Sequence, residues 1–188
     1  MMVVGMRGMK SAYKYHITNL SNPWMLASWR NTMLVLEIMN KPVETCLQSD
    51  NLSAAAEKMW KCDCGAIPAI NNEGELVGIV TDRDICMAAY FKGMPLSRIS
   101  VEQVMAKIVF SCRENDTLEK VEELMSKNQI RRVPIVDEFR KPIGVLSLND
   151  IARHAASSDR KSGDIIKFTK TLASVCRPRG PQETDQAS

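Results

Sequence analysis

Residues 37–85 return as residues 103–151 at a constant offset of 66, with no gap between the two copies. Thirteen of these 49 positions are identical, where unrelated sequence gives roughly three. The identical pairs include Met39/Met105, Cys46/Cys112, Asp50/Asp116, Leu52/Leu118, Met59/Met125, Pro68/Pro134, Gly78/Gly144, Asp84/Asp150 and Ile85/Ile151. Other pairs are conservative, among them Ile67/Val133, Ile70/Val136 and Thr81/Ser147. Such a chain must fold as two copies of one unit. At roughly fifty residues neither copy buries enough apolar surface to stand comfortably alone, so the copies are expected to pair.

The unit has a legible order. A short strand near 43–46 (109–112) leads to Asp50 (Asp116), which is placed to cap a helix. Leu52, Ala55, Ala56 and Met59 (Leu118, Val121, Leu124 and Met125) mark that helix as amphipathic. A strand follows at Ile67-Pro68-Ala69-Ile70 (Val133-Pro134-Ile135-Val136), then a turn containing Asn71-Asn72-Glu73-Gly74 in the first copy. The strand Leu76 to Val80 (Ile143 to Leu146) completes a hairpin, and a second helix closes the unit. The expected fold class is therefore α/β (α+β), with two β-α-β-β-α units.

The point of greatest chemical interest is where the last strand becomes the last helix. Gly78-Ile79-Val80-Thr81-Asp82-Arg83-Asp84-Ile85 recurs as Gly144-Val145-Leu146-Ser147-Leu148-Asn149-Asp150-Ile151. A helix N-terminus offers unpaired N–H groups and partial positive charge to a phosphate. An aspartate one turn inside can accept hydrogen bonds from ribose hydroxyls. Thr81-x-x-Asp84 and Ser147-x-x-Asp150 also fit a capping box, in which hydroxyl and carboxylate satisfy the helix's own donors. Both readings stand on the same four residues.

Composition narrows the rest. The 188 residues are 45% hydrophobic and 25% charged, as in a globular protein with a real core. A net charge of +3 argues for no nucleic-acid partner, although Lys161, Lys167, Lys170, Arg177 and Arg179 keep a basic tail as the minor alternative. No secretory signal is legible, so the six cysteines are expected to be reduced thiols in the cytoplasm. The apolar passage from Trp24 to Met39 is broken by Arg30, Asn31 and Glu37, and no membrane span is expected. Cys62-Asp63-Cys64 lacks further ligands nearby, and Cys64 falls where Ile130 falls, so no metal is expected. With no paired nucleophile and base and no Walker loop, no catalytic residue is expected.

The doubled β-α-β-β-α order, the proline inside each middle strand and the Gly-h-h-Thr/Ser-x-x-Asp junction resemble a tandem CBS-domain pair over about residues 35–156. The resemblance implies two units packed sheet to sheet as a pseudo-twofold pair, with clefts that take AMP, ADP, ATP or S-adenosylmethionine. It implies a cytoplasmic regulatory module that is not an enzyme, pairs again into a homodimeric four-unit disc, and signals to its own oligomer or a separate regulated protein. A structural dimerisation module with empty clefts is the alternative. By position, Asp84 and Asp150 are expected to hold ribose, and Thr81 and Ser147 to face phosphate. Arg83 and Arg132 are expected to supply charge, with Arg131 the weaker candidate; unequal copies make unequal clefts. The expected boundaries are an extension at 1–34, units at 35–92 and 101–157, a connector at 93–100, and a C-terminal helix and loose tail at 158–188. The extension is left open among an amphipathic segment carrying Met25, Trp29, Met33 and Leu36, a loose stretch before Trp24, and translation beginning at Met33 or Met39. A short helix opened by Ser100-x-x-Gln103 and a last helix from Asp164 to Val175, with Ile165, Phe168, Leu172 and Val175 inward, complete the reading.

Overall fold

The computed structural model describes residues 33–156 and 162–177. Expectations for residues 1–32, for the polar stretch 157–161 and for the tail from Pro178 lie outside them. The first unit runs β1 (Cys46–Leu47), α1 (Leu52–Lys61), β2 (Ala66–Ile70), β3 (Leu76–Thr81) and α2 (Asp82–Lys92). The second supplies α3 (Leu118–Asn128), β4 (Arg132–Val136), β5 (Pro142–Ser147) and α4 (Leu148–Ala155), followed by α5 (Ser162–Val175). Here β1 pairs parallel to β2, and a single parallel bridge from Cys112 to Ile135 takes its place in the second unit. Both hairpins share one register: Ala66 faces Thr81, and Arg132 faces Ser147. The expected α/β class is the one observed.

The turns are built by side chains as the sequence suggests, with one displacement. Asn71 Oδ1 accepts from Glu73 N and Glu75 N, and Asp137 Oδ1 does the same for Phe139 N and Lys141 N. Each turn then needs a left-handed residue, which is Gly74 (φ 82°) in one copy and Arg140 (φ 62°) in the other. The helix caps fall one residue later than expected. Asn51 and Thr117 cap α1 and α3, because Asp50 and Asp116 are drawn back to accept from Leu47 N and Arg113 N. Ser100 likewise precedes a short 3₁₀ turn, Val101–Gln103, without capping it through its side chain.

The units hold one another through exchanged leading segments. Residues 33–40 lie on the second unit: Val35 N donates to Asp116 O, Leu118 N to Met33 O, and Asn40 exchanges two bonds with Val145. Sixty-six positions on, Val101 N donates to Asp50 O, Leu52 N to Ile99 O, and Ala106 exchanges two with Ile79. The cores follow the same crossing. Val35 and Met39 are buried among Val121, Met125, Val133, Leu146 and Ile151, while Ile99, Val101 and Met105 complete the cluster of Leu52, Ile67, Val80 and Ile85. Each such side chain stabilises the pair by roughly 1.5–3 kcal/mol when fully buried.

The crossing also explains the repeated glycines. A Cβ on Gly78 would overlap the Met105 side chain, and one on Gly144 would lie 2.9 Å from Met39 Sδ and 3.0 Å from Asn40 O. Only a bare strand lets the other unit's leading segment come this near.

Helix α5 breaks the symmetry by packing on α3 and α4. Val175 and Thr171 are buried and Phe168 is partly buried, with Ser174 Oγ donating to Ser126 O. Ile165 and Leu172, expected inward, are exposed. The inward stripe is centred on Phe168, Thr171 and Val175, which at 3.6 residues per turn places Ile165 and Leu172 on its flank.

Gly78→Ala and Gly144→Ala are each expected to lower stability by about 1–3 kcal/mol, seen as a lower denaturant midpoint at unchanged slope. Adding Met105→Ala to Gly78→Ala should restore part of the loss. Strict additivity of the two changes would show that the strand glycine does not serve the methionine.

Candidate functional site

Each last helix begins directly at the end of a strand. Thr81 and Ser147 are the N-caps, extended at φ −116° and −110°, and both form the reciprocal capping box. In the second unit Asp150 N donates to Ser147 Oγ at 3.3 Å while Ser147 N donates to Asp150 Oδ2 at 2.8 Å. In the first, Asp84 N donates to Thr81 Oγ1 at 3.2 Å and Thr81 N to Asp84 Oδ2 at 2.9 Å. The next donor is also taken: Leu148 N binds Arg131 O at 2.9 Å, and Asp82 N binds Gly65 O at 3.3 Å. These helix ends thus spend much of their donor capacity internally. Charge for an anion must come mainly from side chains.

Those side chains meet at the second junction. A cleft of about 770 Å³ opens beside α4 and is lined by Arg131, Arg132, Ser147, Asn149, Asp150 and Arg153 of the second unit. From the first unit's side come Asn40, Val43, Glu44, Asp63 and Gly65, and α5 adds Leu172. Asp150 is buried, and its other oxygen pairs with Arg153. The cleft therefore combines apolar wall, amide and hydroxyl groups and both signs of charge, as a polar-tailed small ligand requires.

Of the six residues singled out from the sequence, Arg132, Ser147 and Asp150 line this cleft together. Thr81, Arg83 and Asp84 sit at the first junction and are not in its wall. Arg83 and Arg132 do not converge there. Arg132 and Asp82 both lie beside Gly65, where a Cβ would be 3.0 Å from Arg132 Nη2 and 2.9 Å from Asp82 Oδ2. Sequence reasoning passed over Arg153, Asp63, Glu44 and Asp82. Two of these carried a usable signal, since Arg153 stands where the other copy has Met87, and Asp82 where it has Leu148.

The cysteines divide by environment. Burial pushes the Cys46 and Cys112 thiols from 9.0 up to about 11, with Asp50 and Asp116 adding to the rise. Burial also raises Cys64 at the cleft wall. Such thiols are packing groups, since the thiolate is the reactive form. Among the described residues no three of His, Cys, Asp or Glu are grouped to hold a metal ion.

A family model described as CBS domain matches residues 35–90 and 101–157. Hypoxic response protein 1 of Mycobacterium tuberculosis is 29% identical over 138 residues, covering 73% of this chain and 92% of that protein. The CBS domain-containing protein YhcV of Bacillus subtilis is 34% identical, covering 66% of this chain and 87% of that protein. Among solved structures, the CBS domain pair of protein MJ0100 in complex with 5′-methylthioadenosine and S-adenosyl-L-methionine superposes with a TM-score of 0.60 at 30% identity, over 65% of this chain and 95% of the other. Hypoxic Response Protein I with two coordinated zinc ions gives 0.59 at 29% identity, over 65% and 98%.

Because the folded thiols ionise later than free ones, Cys46 and Cys112 contribute stability that is complete below pH 9 and lost as pH rises toward 11. Melting temperature should fall across that window. In the Cys46→Ala/Cys112→Ala variant the fall should be shallower; an unchanged slope would exclude these thiols as its source.

Proposed function

The chain belongs to the CBS-domain family, and from that premise we propose that it is a regulatory module that binds an adenosine-containing ligand, AMP, ADP, ATP or S-adenosylmethionine. One observation carries the reading. The Ser147–Asp150 junction opens onto a cleft of about 770 Å³ into which the other unit, the arginines at the start of β4 and α5 all contribute. A ligand there touches both units at once. Asp150 holds the ribose, Val43 and neighbouring apolar groups take the base, and Arg131 and Arg132 face the tail. The first junction, with Thr81, Arg83 and Asp84, is the second and weaker site.

Occupancy then shifts the packing of the two units, by no more than the ligand's differential affinity for the two arrangements. The module acts in the cytoplasm, without catalysis, on a second copy of itself or on a separate protein. Trp60 of α1 with Tyr90 and Phe91 of α2, all exposed, offer an apolar surface for that contact. No helix among the described residues is long and apolar enough to cross a membrane. The expected pairing of two copies into a four-unit disc and the expected domain boundaries belong to the same proposal.

A structural role has one observation in its favour. Both junction carboxylates already serve their own helix caps, and Asp150 also holds Arg153. A module with empty clefts would need these residues just as much.

Calorimetric titration with AMP, ADP, ATP and S-adenosylmethionine separates the two. The proposed function predicts saturable binding of at least one, weakened about tenfold or more by Asp150→Ala and less by Asp84→Ala. Loss of the cap in Asp150→Ala costs about 1 kcal/mol of stability, so the fold should persist. Silence from all four ligands in folded, nucleotide-free protein would leave the structural role standing.

A further inference from the structure

The six cysteines fall into two groups once the repeat is laid over the fold. Cys46 and Cys112 occupy equivalent positions, and each is buried in the core of its unit. The other four have no counterpart. Cys62, Cys64 and Cys86 correspond to Asn128, Ile130 and Ala152, and Cys176 lies beyond the second copy. Three of these four, Cys62, Cys64 and Cys176, line the cleft beside Ser147 and Asp150. Cys86 is exposed but lies outside the cleft wall. Duplicated thiols are thus core, and unduplicated ones gather in one cavity.

Each cleft thiol is placed by the way a helix ends. At the C-terminus of α1, Asp63 takes the left-handed conformation (φ 48°), while Asp63 N donates to Trp60 O and Cys64 N to Met59 O. This closed turn fixes Cys62 and Cys64 on either side of Asp63, in the wall that the first unit contributes. Cys176 follows the last residue of α5, where buried Val175 anchors the helix and Gln129 Nε2 donates to Arg177 O. The cleft therefore carries thiols from two separate helix ends. Cys62 and Cys176 are exposed, whereas Cys64 is half-buried and burial pushes its thiol up. The first two are therefore the nucleophiles.

We propose that Cys62 and Cys176 form a thiolation site, where a small soluble disulfide of the glutathione class places a covalent group in the cleft and excludes the adenosine ligand. The proposal rests on the reading of the cleft given above and adds its regulation. A thiolate of either residue attacks one sulfur of the incoming disulfide. A bond forms between protein sulfur and reagent sulfur, the reagent's own S–S bond breaks, and the departing thiolate takes a proton from water. The protein sulfur is oxidised and the departing half of the reagent is reduced, so the exchange needs no further oxidant. One ligand of ordinary size fills a cleft of about 770 Å³, and a group tethered to its wall competes for the same space. A dithiol reverses the exchange and reopens the cleft.

The test treats the full reduced chain with oxidised glutathione, alone and with AMP or S-adenosylmethionine at about ten times its dissociation constant, and follows Cys62, Cys86 and Cys176 by peptide mass mapping. Such occupancy leaves about a tenth of the clefts open, so thiolation at Cys62 and Cys176 should slow about tenfold while Cys86 reacts as before. Calorimetry on the thiolated protein should show the nucleotide bound about tenfold or more weakly, and dithiothreitol should restore it. The same treatment of Cys62→Ser/Cys176→Ser should leave its affinity unchanged. Melting curves establish that each form is folded, and Cys62→Ala/Cys176→Ala replaces the serine variant if that does not fold. No thiolation at either cleft cysteine, equal reaction with and without bound nucleotide, or unchanged affinity after thiolation overturns the exclusion while the cleft reading survives. Oxidised cleft thiols without added glutathione would reveal an internal disulfide and overturn the thiolation site. Absence of nucleotide binding to the reduced wild type overturns the cleft reading itself, and the exclusion with it.

Discussion

The structure depends on a reciprocal loan of backbone and core. Residues 33–40 complete the second unit, and residues 99–106 complete the first, through bonds that match pair by pair at the repeat spacing. Each loan fills a core that its own unit leaves open and covers a strand edge that would otherwise be unpaired. Met39 against Gly144 and Met105 against Gly78 are the tightest points of this arrangement. Separating the units would expose both sets of apolar side chains and strand edges together.

The cleft is a by-product of the same exchange. Because Asn40 pairs with Val145, the chain just after it, from Pro42 to Glu44, is carried along the second unit's last strand and becomes part of the cleft beside Ser147 and Asp150. The junction therefore works at two levels. Locally, hydroxyl and carboxylate start a helix within one residue of a strand's end, which keeps Asp150 buried and fixed. At the level of the pair, that fixed carboxylate faces groups from the other unit. The cap positions the side chain at the cleft wall.

Duplication supplies the frame, and departures from it supply individuality. Helix α5 covers the outer helices of the second unit only, leaving Trp60, Tyr90 and Phe91 exposed on the first. Arg131, Arg132 and Arg153 stand where the first unit has Gly65, Ala66 and Met87. The two junctions share their cap dihedrals and capping boxes, yet their surroundings differ in charge and in cover.

The amino-acid sequence by itself determined the repeat, the order of elements and the strand-to-helix junctions. These rest on local physics: side-chain periodicity, turn residues and caps whose partners lie within a few residues. Even there it missed by one position at Asn51 and Thr117, because Asp50 and Asp116 had an equally local alternative in the preceding turn. Only the tertiary structure decided where residues 33–40 and 99–106 pack, which face of α5 turns inward, and that Arg132 lies beside Gly65 in the cleft wall while Arg83 does not line it. Such contacts join residues far apart in the chain, Met39 with Gly144 or Arg132 with Gly65. No periodicity records them, because their geometry exists only after two nearly identical units have chosen how to share their edges.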